Sequence, residues 1–190
     1  MMAQSPRGAD DLLLAAMLVL DRQPSGASTA KAKTPHGEAD ARAVIGAVTV
    51  EAYASRRKVR PGQTFQVAVA LDIDDGWHLY GPNPDVEFVI PTTVQPALNN
   101  HFRFGKVQIP EGRTVQDAVL NQKLEIYEGR VWLRVPVTVL EGPESGVTSL
   151  TLNLRRQACD DNRCQPPQTT TLDVPITVDP QAPVDEVIPQ

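Results

Sequence analysis

Hydrophobic and polar residues alternate with a period of two along most of the chain after residue 46. The apolar members form five rows: Val48, Val50 and Ala52; Phe65, Val67, Val69 and Leu71; Val131, Leu133, Val135, Val137 and Val139; Leu150, Leu152 and Leu154; and Leu172, Val174, Ile176 and Val178. Since successive side chains of a β-strand point to opposite faces, each row predicts a strand with one face on a core. Weaker strands are predicted near residues 77–80, 85–90 and 102–109.

Turn-forming residues separate these rows. The turn signals are Pro61-Gly62, Asp74-Asp75-Gly76, Glu128-Gly129, Glu141-Gly142-Pro143 and Ser145-Gly146. Seven to nine short antiparallel strands within about 135 residues, without a convincing helix, are typical of a β-sandwich. We therefore predict an all-β domain over residues 46–179, followed by a polar, Pro-rich tail at 180–190.

Residues 1–45 follow a different pattern. A short helix is predicted through Leu12–Leu20, whose nine apolar residues are too few for a membrane span of about 18. The run resembles the core of a secretory signal, but Asp10 and Asp11 outweigh Arg7 in the segment before it. We expect either a degenerate signal or the remnant of a preceding region, continued by a flexible linker.

The overall charge excludes some classes of partner. The chain has 190 residues, with 18 Lys and Arg against 23 Asp and Glu, a net charge of −5 and a pI near 5.2. A protein that binds nucleic acid by neutralising phosphates has a basic excess, and so does one that docks on an anionic membrane. We therefore expect neither nucleic-acid binding nor insertion of the sandwich domain into a membrane.

The two cysteines, Cys159 and Cys164, lie close together between the fourth and fifth rows. The residues that follow Cys159, Asp160-Asp161-Asn162, favour a turn. The cysteines are therefore predicted to flank a β-hairpin turn, where their side chains can face each other.

Three interpretations of this pair compete. As a structural staple it is weak, because a six-residue loop gains about 2 kcal/mol and one of roughly 60 residues about 4. As a zinc site it is incomplete, because His36, His78 and His101 are scattered, and we predict no metal. The third interpretation is reversible thiol–disulfide exchange, and the spacing alone leaves the staple and the exchange pair both open.

The charges beside the cysteines indicate what kind of exchange is feasible. No predicted helix N-terminus lowers a thiol pKa here, as it does in thioredoxin-type sites. Asp160 and Asp161 disfavour a thiolate at Cys159, whereas Arg163 favours one at Cys164. A pair without strong activation suits a relay, in which the activated thiol of a partner attacks the disulfide.

An aromatic turn, Gly76-Trp77-His78-Leu79-Tyr80, is the second unusual stretch, although its rings are also consistent with ordinary core packing. With the cysteine hairpin it resembles the N-terminal, periplasmic domain of the DsbD thiol:disulfide interchange protein family. The matching pieces occur in the family's order over residues 47–178: the aromatic turn; Glu125-Ile126-Tyr127-Glu128-Gly129-Arg130 with Leu133-Arg134-Val135-Pro136-Val137; and Gln157-Ala158-Cys159 through Cys164-Gln165-Pro166-Pro167-Gln168-Thr169.

The resemblance implies an immunoglobulin-like fold and a role in electron transfer without a cofactor. Such domains accept electrons from a thioredoxin-like domain, which is fed by a DsbD-type membrane donor. They pass them to a periplasmic disulfide isomerase or a cytochrome c maturation factor. By position, Cys164 corresponds to the cysteine that forms the mixed disulfide and Cys159 to the resolving one.

The resemblance also implies an active-site lining and a cap loop. The implied lining residues are Trp77, His78, Tyr80, Leu120, Tyr127, Arg163, Pro166 and Pro167. The cap loop corresponds to residues 116–122, where the family's Phe is missing and Leu120 is the available substitute. The segment between the cysteines is shorter than in the best-known members. Neither a membrane segment nor a thioredoxin motif is found, so we expect a fragment of a longer protein or action in trans.

The sequence therefore predicts a periplasmic or otherwise extracytoplasmic relay, a thiol:disulfide oxidoreductase acting through Cys159 and Cys164. The alternative is a non-enzymatic interaction module whose hairpin disulfide is purely structural. The reduction potential separates the two, because a staple is much harder to reduce than a carrier.

Overall fold

The computed structural model describes residues 37–82, 86, 89–117, 121–142 and 145–183. Within these ranges all regular structure is β, arranged in three sheets. The described part contains no helix long and apolar enough to cross a membrane. The helix and signal predicted in residues 1–36 lie outside the described residues.

The strands are short to medium in length and follow one another closely along the chain. They are β1 (Ala41–Ile45), β2 (Val48–Ala54), β3 (Lys58–Val59), β4 (Thr64–Ile73), β5 (His78–Tyr80), β6 (Thr93–Pro96), β7 (Phe102–Phe104), β8 (Arg113–Asp117), β9 (Gln122–Tyr127), β10 (Arg130–Val139), β11 (Gly146–Arg156), β12 (Ala158–Cys159) and β13 (Gln168–Val178). The five predicted rows correspond to β2, β4, β10, β11 and β13.

Two of the sheets enclose the main core. The first has the order β1-β2-β4-β10-β7 and the second β3-β13-β11-β6, and their pairings are antiparallel except for β3 with β13. Because the side chains alternate between faces, one side of each long strand is buried. Each buried Val, Leu or Ile contributes about 1.5–3 kcal/mol of hydrophobic stabilisation.

The third sheet, in the order β12-β5-β9-β8, carries the cysteine hairpin at its edge. In its centre Leu79 of β5 lies opposite Tyr127 of β9, and both side chains belong to the main core. The other face of the sheet, with Tyr80 opposite Ile126, belongs to a second hydrophobic cluster. One face of the third sheet therefore packs on the main core, and the other face surrounds the buried cysteine.

Strand β1 lies in the segment for which the sequence predicts a linker. Ala41 and Ala43 pack, partly buried, against the main core, and every residue of β1 pairs with β2. The apolar positions of β1 include two alanines, whose small side chains give a weak alternating pattern. The strand forms because its backbone pairs with β2.

Other differences concern short strands. In the predicted region 102–109 only Phe102–Phe104 forms a strand, and Gln108 contributes an isolated bridge to Arg134. Of residues 85–90, positions 86, 89 and 90 are described and are not in a strand. The described beginning of the tail is held by Arg60, whose Nε donates to the Ala182 carbonyl at 3.0 Å.

Candidate functional site

The cysteines form the hairpin that the sequence predicts. Cys159 and Cys164 are joined by a disulfide, with their Cα atoms 4.0 Å apart, and they pair as an isolated antiparallel bridge. The amide of Gln165 donates to the Ala158 carbonyl at 2.8 Å, which aligns the two arms at the base of the hairpin. The pair is therefore held at the end of a short ladder.

Asp160 organises the turn between the cysteines. Its Oδ1 accepts hydrogen bonds from the backbone amides of Asn162 and Arg163, both at 2.8 Å. Its own amide donates to the Arg163 carbonyl, also at 2.8 Å. The two bonds to Oδ1, foremost the one from Asn162, lower the pKa of Asp160. The carboxylate is thus ionised at neutral pH.

The two cysteines differ sharply in exposure. Cys159 is 1% exposed and belongs to the second hydrophobic cluster with Tyr80, Leu124 and Ile126, whereas Cys164 is exposed. A nucleophile from outside can therefore approach the sulfur of Cys164 but is obstructed from that of Cys159.

The aromatic turn lies directly beside the buried cysteine. His78 pairs with Cys159 across β5 and β12, and the His78 and Tyr80 rings meet edge to face at 5.3 Å between centroids. Burial lowers the pKa of His78 while nearby carboxylates, Glu128 foremost, act in the opposite direction. Burial also raises the pKa of Tyr80, so both rings are neutral at pH 7.

Trp77 supports the turn of the hairpin from the side. The guanidinium of Arg163 lies over the Trp77 ring, 5.8 Å from its centroid, and Arg163 Nε is 3.4 Å from Asp160 Oδ2. Arg163, the cation next to Cys164 in the sequence, therefore contacts both the Asp160 carboxylate and the Trp77 indole. The contact joins the hairpin turn to the start of β5.

An open groove of about 660 Å³ runs along this face of the third sheet, past both cysteines. Its lining includes residues outside the implied active-site lining: Val89, Arg113, Val115, Ile126, Glu128 and Gln157, together with Gln116 and Asp117 from the start of the implied cap loop. Arg113 and Glu128, which both line the groove, form an ion pair at 2.7 Å. The sequence signal for this strand is the row of alternate residues Arg113, Val115 and Asp117. Because only one of the three is apolar, the row resembles a loop.

Three of the remaining implied lining residues, Tyr127, Pro166 and Pro167, lie outside the groove lining. Tyr127 is 3% exposed on the core side of β9, where its hydroxyl donates to the Pro110 carbonyl at 2.7 Å. Burial raises the pKa of Tyr127 to about 12. Pro166 and Pro167 are exposed in the connection to β13, outside the groove lining. Leu120 lies outside the described residues, so the cap remains a prediction.

Metal-ligating side chains are dispersed in the described ranges, where no group of three or more His, Cys, Asp or Glu could hold a metal ion.

Comparison with solved structures finds several similar domains. The N-terminal periplasmic domain of ScsB from Proteus mirabilis has a TM-score of 0.53 and 13% identity, covering 74% of this chain and 54% of that one. The reduced DsbD N-terminal domain of Neisseria meningitidis has a TM-score of 0.43 and 17% identity, over 70% of this chain and 91% of that one. The DsbD domain in its complex with the PilB N-terminal domain, from the same organism, has a TM-score of 0.41 and 18% identity, covering 62% and 81%.

Sequence comparison identifies the family. A search of curated protein sequences gives no match. The family model for the N-terminal domain of the thiol:disulfide interchange protein DsbD matches residues 47–176. Together with the ScsB likeness this confirms the predicted immunoglobulin-like β-sandwich. The chain belongs to the family of DsbD N-terminal domains, and its sandwich is a thiol–disulfide interchange domain that carries the Cys159–Cys164 disulfide.

Proposed function

We propose that this domain is an extracytoplasmic electron relay. It accepts electrons from a thioredoxin-like or DsbD-type membrane donor and passes them through Cys159 and Cys164 to periplasmic proteins that contain disulfides. Membership in the DsbD N-terminal family supports exchange at this pair. The same family membership supports an extracytoplasmic location, because a disulfide persists in an oxidising compartment.

The observation that carries the proposal is the difference in exposure between the two sulfurs. A relay needs one sulfur that a partner reaches and one that is protected until the mixed disulfide must be resolved. Cys164 is exposed at the edge of the groove, and Cys159 is buried in the second hydrophobic cluster. A purely structural disulfide has no need for this asymmetry.

Electron transfer to the domain then proceeds in two exchanges. A thiolate of the reduced partner attacks Sγ of Cys164, forms a new S–S bond and releases the sulfur of Cys159, which takes up a proton. The partner's second thiolate then attacks the sulfur of the partner's first cysteine in the mixed disulfide and releases Cys164. The partner leaves as a disulfide, and the domain holds both electrons as a dithiol.

The reverse sequence delivers these electrons. The Cys164 thiolate attacks the disulfide of an acceptor, and Cys159 then attacks Cys164 to release the reduced acceptor. His78 and Tyr80 border the buried sulfur and add no charge at neutral pH, because burial shifts the pKa of each toward the neutral form. A disulfide isomerase and a cytochrome c maturation factor are the acceptor classes that the resemblance implies.

The groove gives the partner room to dock. It passes both cysteines and has apolar walls at Val115 and Ile126 next to charged residues. A thioredoxin-like domain presents its active-site thiol on a short, largely apolar surface, and this surface would lie along the groove with its thiol toward Cys164.

The test mixes the oxidised domain with a reduced thioredoxin-fold domain of the DsbD type. Alkylation of free thiols followed by mass measurement shows which protein holds the electrons. We expect thiols to appear on the domain as they disappear from the partner, at a rate that increases with partner concentration. A domain that dithiothreitol reduces but that never exchanges with such a partner would support the structural-disulfide alternative instead.

A further inference from the structure

The four residues between the cysteines form a loop that is closed by more than the disulfide. Asp160 accepts the amides of Asn162 and Arg163 at 2.8 Å and donates its own amide to the Arg163 carbonyl at the same distance. Oδ2 of Asp160 lies 3.4 Å from Nε of Arg163. The side chain and backbone of Asp160 therefore link the residues of the turn directly, in addition to the S–S bond.

The residues on either side of Cys164 also contact the rest of the domain. On one side the guanidinium of Arg163 contacts the Trp77 ring at 5.8 Å. On the other side Nε2 of Gln157 donates to the Gln165 carbonyl at 3.0 Å. The arm that bears the exposed Cys164 is thus held both before and after the cysteine.

From these contacts we propose that Asp160 is a positioning residue that keeps the loop closed in the dithiol form and thereby favours re-formation of the disulfide. The inference rests on the exchange function proposed above. In the disulfide form the covalent ring limits the loop by itself. In the dithiol form only the hydrogen bonds do so, and they keep the two thiols near each other, which reduces the conformational entropy lost on closure.

The consequence concerns the equilibrium constant for disulfide formation. Oxidation of the two thiols by glutathione disulfide forms the Cys159–Cys164 bond and releases two molecules of reduced glutathione, so electrons and protons balance. Loss of the turn bonds opens the dithiol loop and lowers this constant. Since each hydrogen bond contributes about 0.5–1.5 kcal/mol, we expect Asp160→Ala to lower it roughly three- to tenfold. A tenfold fall corresponds to a rise of about 30 mV in reduction potential.

Two matched variants separate positioning from charge. Asp160→Asn removes the negative charge but keeps a side-chain oxygen for the amides of Asn162 and Arg163, so its constant should stay close to that of the wild type. Asp161→Asn also removes one negative charge, at the neighbouring position. Among the described residues the Asp161 side chain makes no hydrogen bond, so this variant should also match the wild type.

The experiment equilibrates the four proteins in glutathione buffers of graded ratio and quantifies thiols by alkylation and mass measurement. Thermal melts of the oxidised forms establish that each variant is folded. The proposal is overturned if Asp160→Ala equals the wild type, or if Asp160→Asn or Asp161→Asn falls as far as Asp160→Ala. No protein partner takes part, so failure here is distinct from failure of the exchange with a thioredoxin-fold domain.

Discussion

Cys159 and His78 are directly paired across strands β12 and β5, so the buried cysteine and the aromatic turn share one face of the third sheet. These two motifs are 81 positions apart in the chain, and their resemblance to one family rests on both. The pairing makes the motifs one site, because whatever approaches the disulfide along the groove also meets the His78 and Tyr80 rings.

The cysteines should differ in the mixed disulfides they trap. Cys159→Ala keeps the exposed Cys164 and should accumulate a stable mixed disulfide with a thioredoxin-fold partner that lacks its resolving cysteine. Cys164→Ala keeps only the buried sulfur and should trap little. Non-reducing electrophoresis measures both. Equal trapping would refute the asymmetry, and trapping by neither folded variant would contradict exchange at this pair.

Reduction of the disulfide should leave the domain folded. The bond closes a short loop, so its loss costs about 2 kcal/mol or less. Most of the main core lies in the first two sheets, which do not carry the disulfide. Thermal melts with and without dithiothreitol measure the difference. Unfolding on reduction at room temperature would be incompatible with a carrier, because a carrier must persist in both states.

Tyr80 should support exchange through its ring. Tyr80 is 8% exposed and packs in the cluster that buries Cys159, so Tyr80→Ala opens a cavity there. We expect a loss of about 3 kcal/mol in stability and slower exchange with a thioredoxin-fold partner. Tyr80→Phe is the control, since it keeps the ring and should exchange at nearly the wild-type rate. If the Tyr80→Ala variant is folded and exchanges at the wild-type rate, Tyr80 serves only in packing.

His78 should make stability depend on pH on the acidic side. Burial lowers the pKa of His78 in the folded domain below its unfolded value of 6.5. Between these two values the unfolded state binds more protons, so stability falls as the pH decreases below about 6.5. Above that pH both states are neutral and the contribution is constant. Denaturant unfolding from pH 8 to pH 5 measures this fall.

The matched control is His78→Gln, which cannot titrate. The acidic fall in stability should be smaller in this variant than in the wild type, while the values at pH 8 stay within about 1 kcal/mol of each other. Identical pH profiles of the two proteins would show that His78 does not carry this dependence.

The long strands and the hairpin are predictable from the sequence alone. Alternation in rows such as Val131 to Val139 is a local consequence of burying one face, and turn residues such as those after Cys159 act on their own backbone. The cysteine spacing left both a staple and an exchange pair open, and the resemblance, resting on separate motifs, favoured exchange. These properties depend on neighbours along the chain, which a sequence displays directly.

The surroundings of the two cysteines depend on the folded arrangement of the strands. Pairing of β5 with β12 and β9 put His78 and Tyr80 on the face of Cys159 and turned Tyr127 to the core. It also buried Cys159 beneath residues of β9 and left Cys164 exposed. Strand β1 likewise exists because β2 supplies its hydrogen-bond partners. Exposure and strand pairing depend on segments distant in the chain, and no local pattern of residues encodes which distant segment comes to lie alongside.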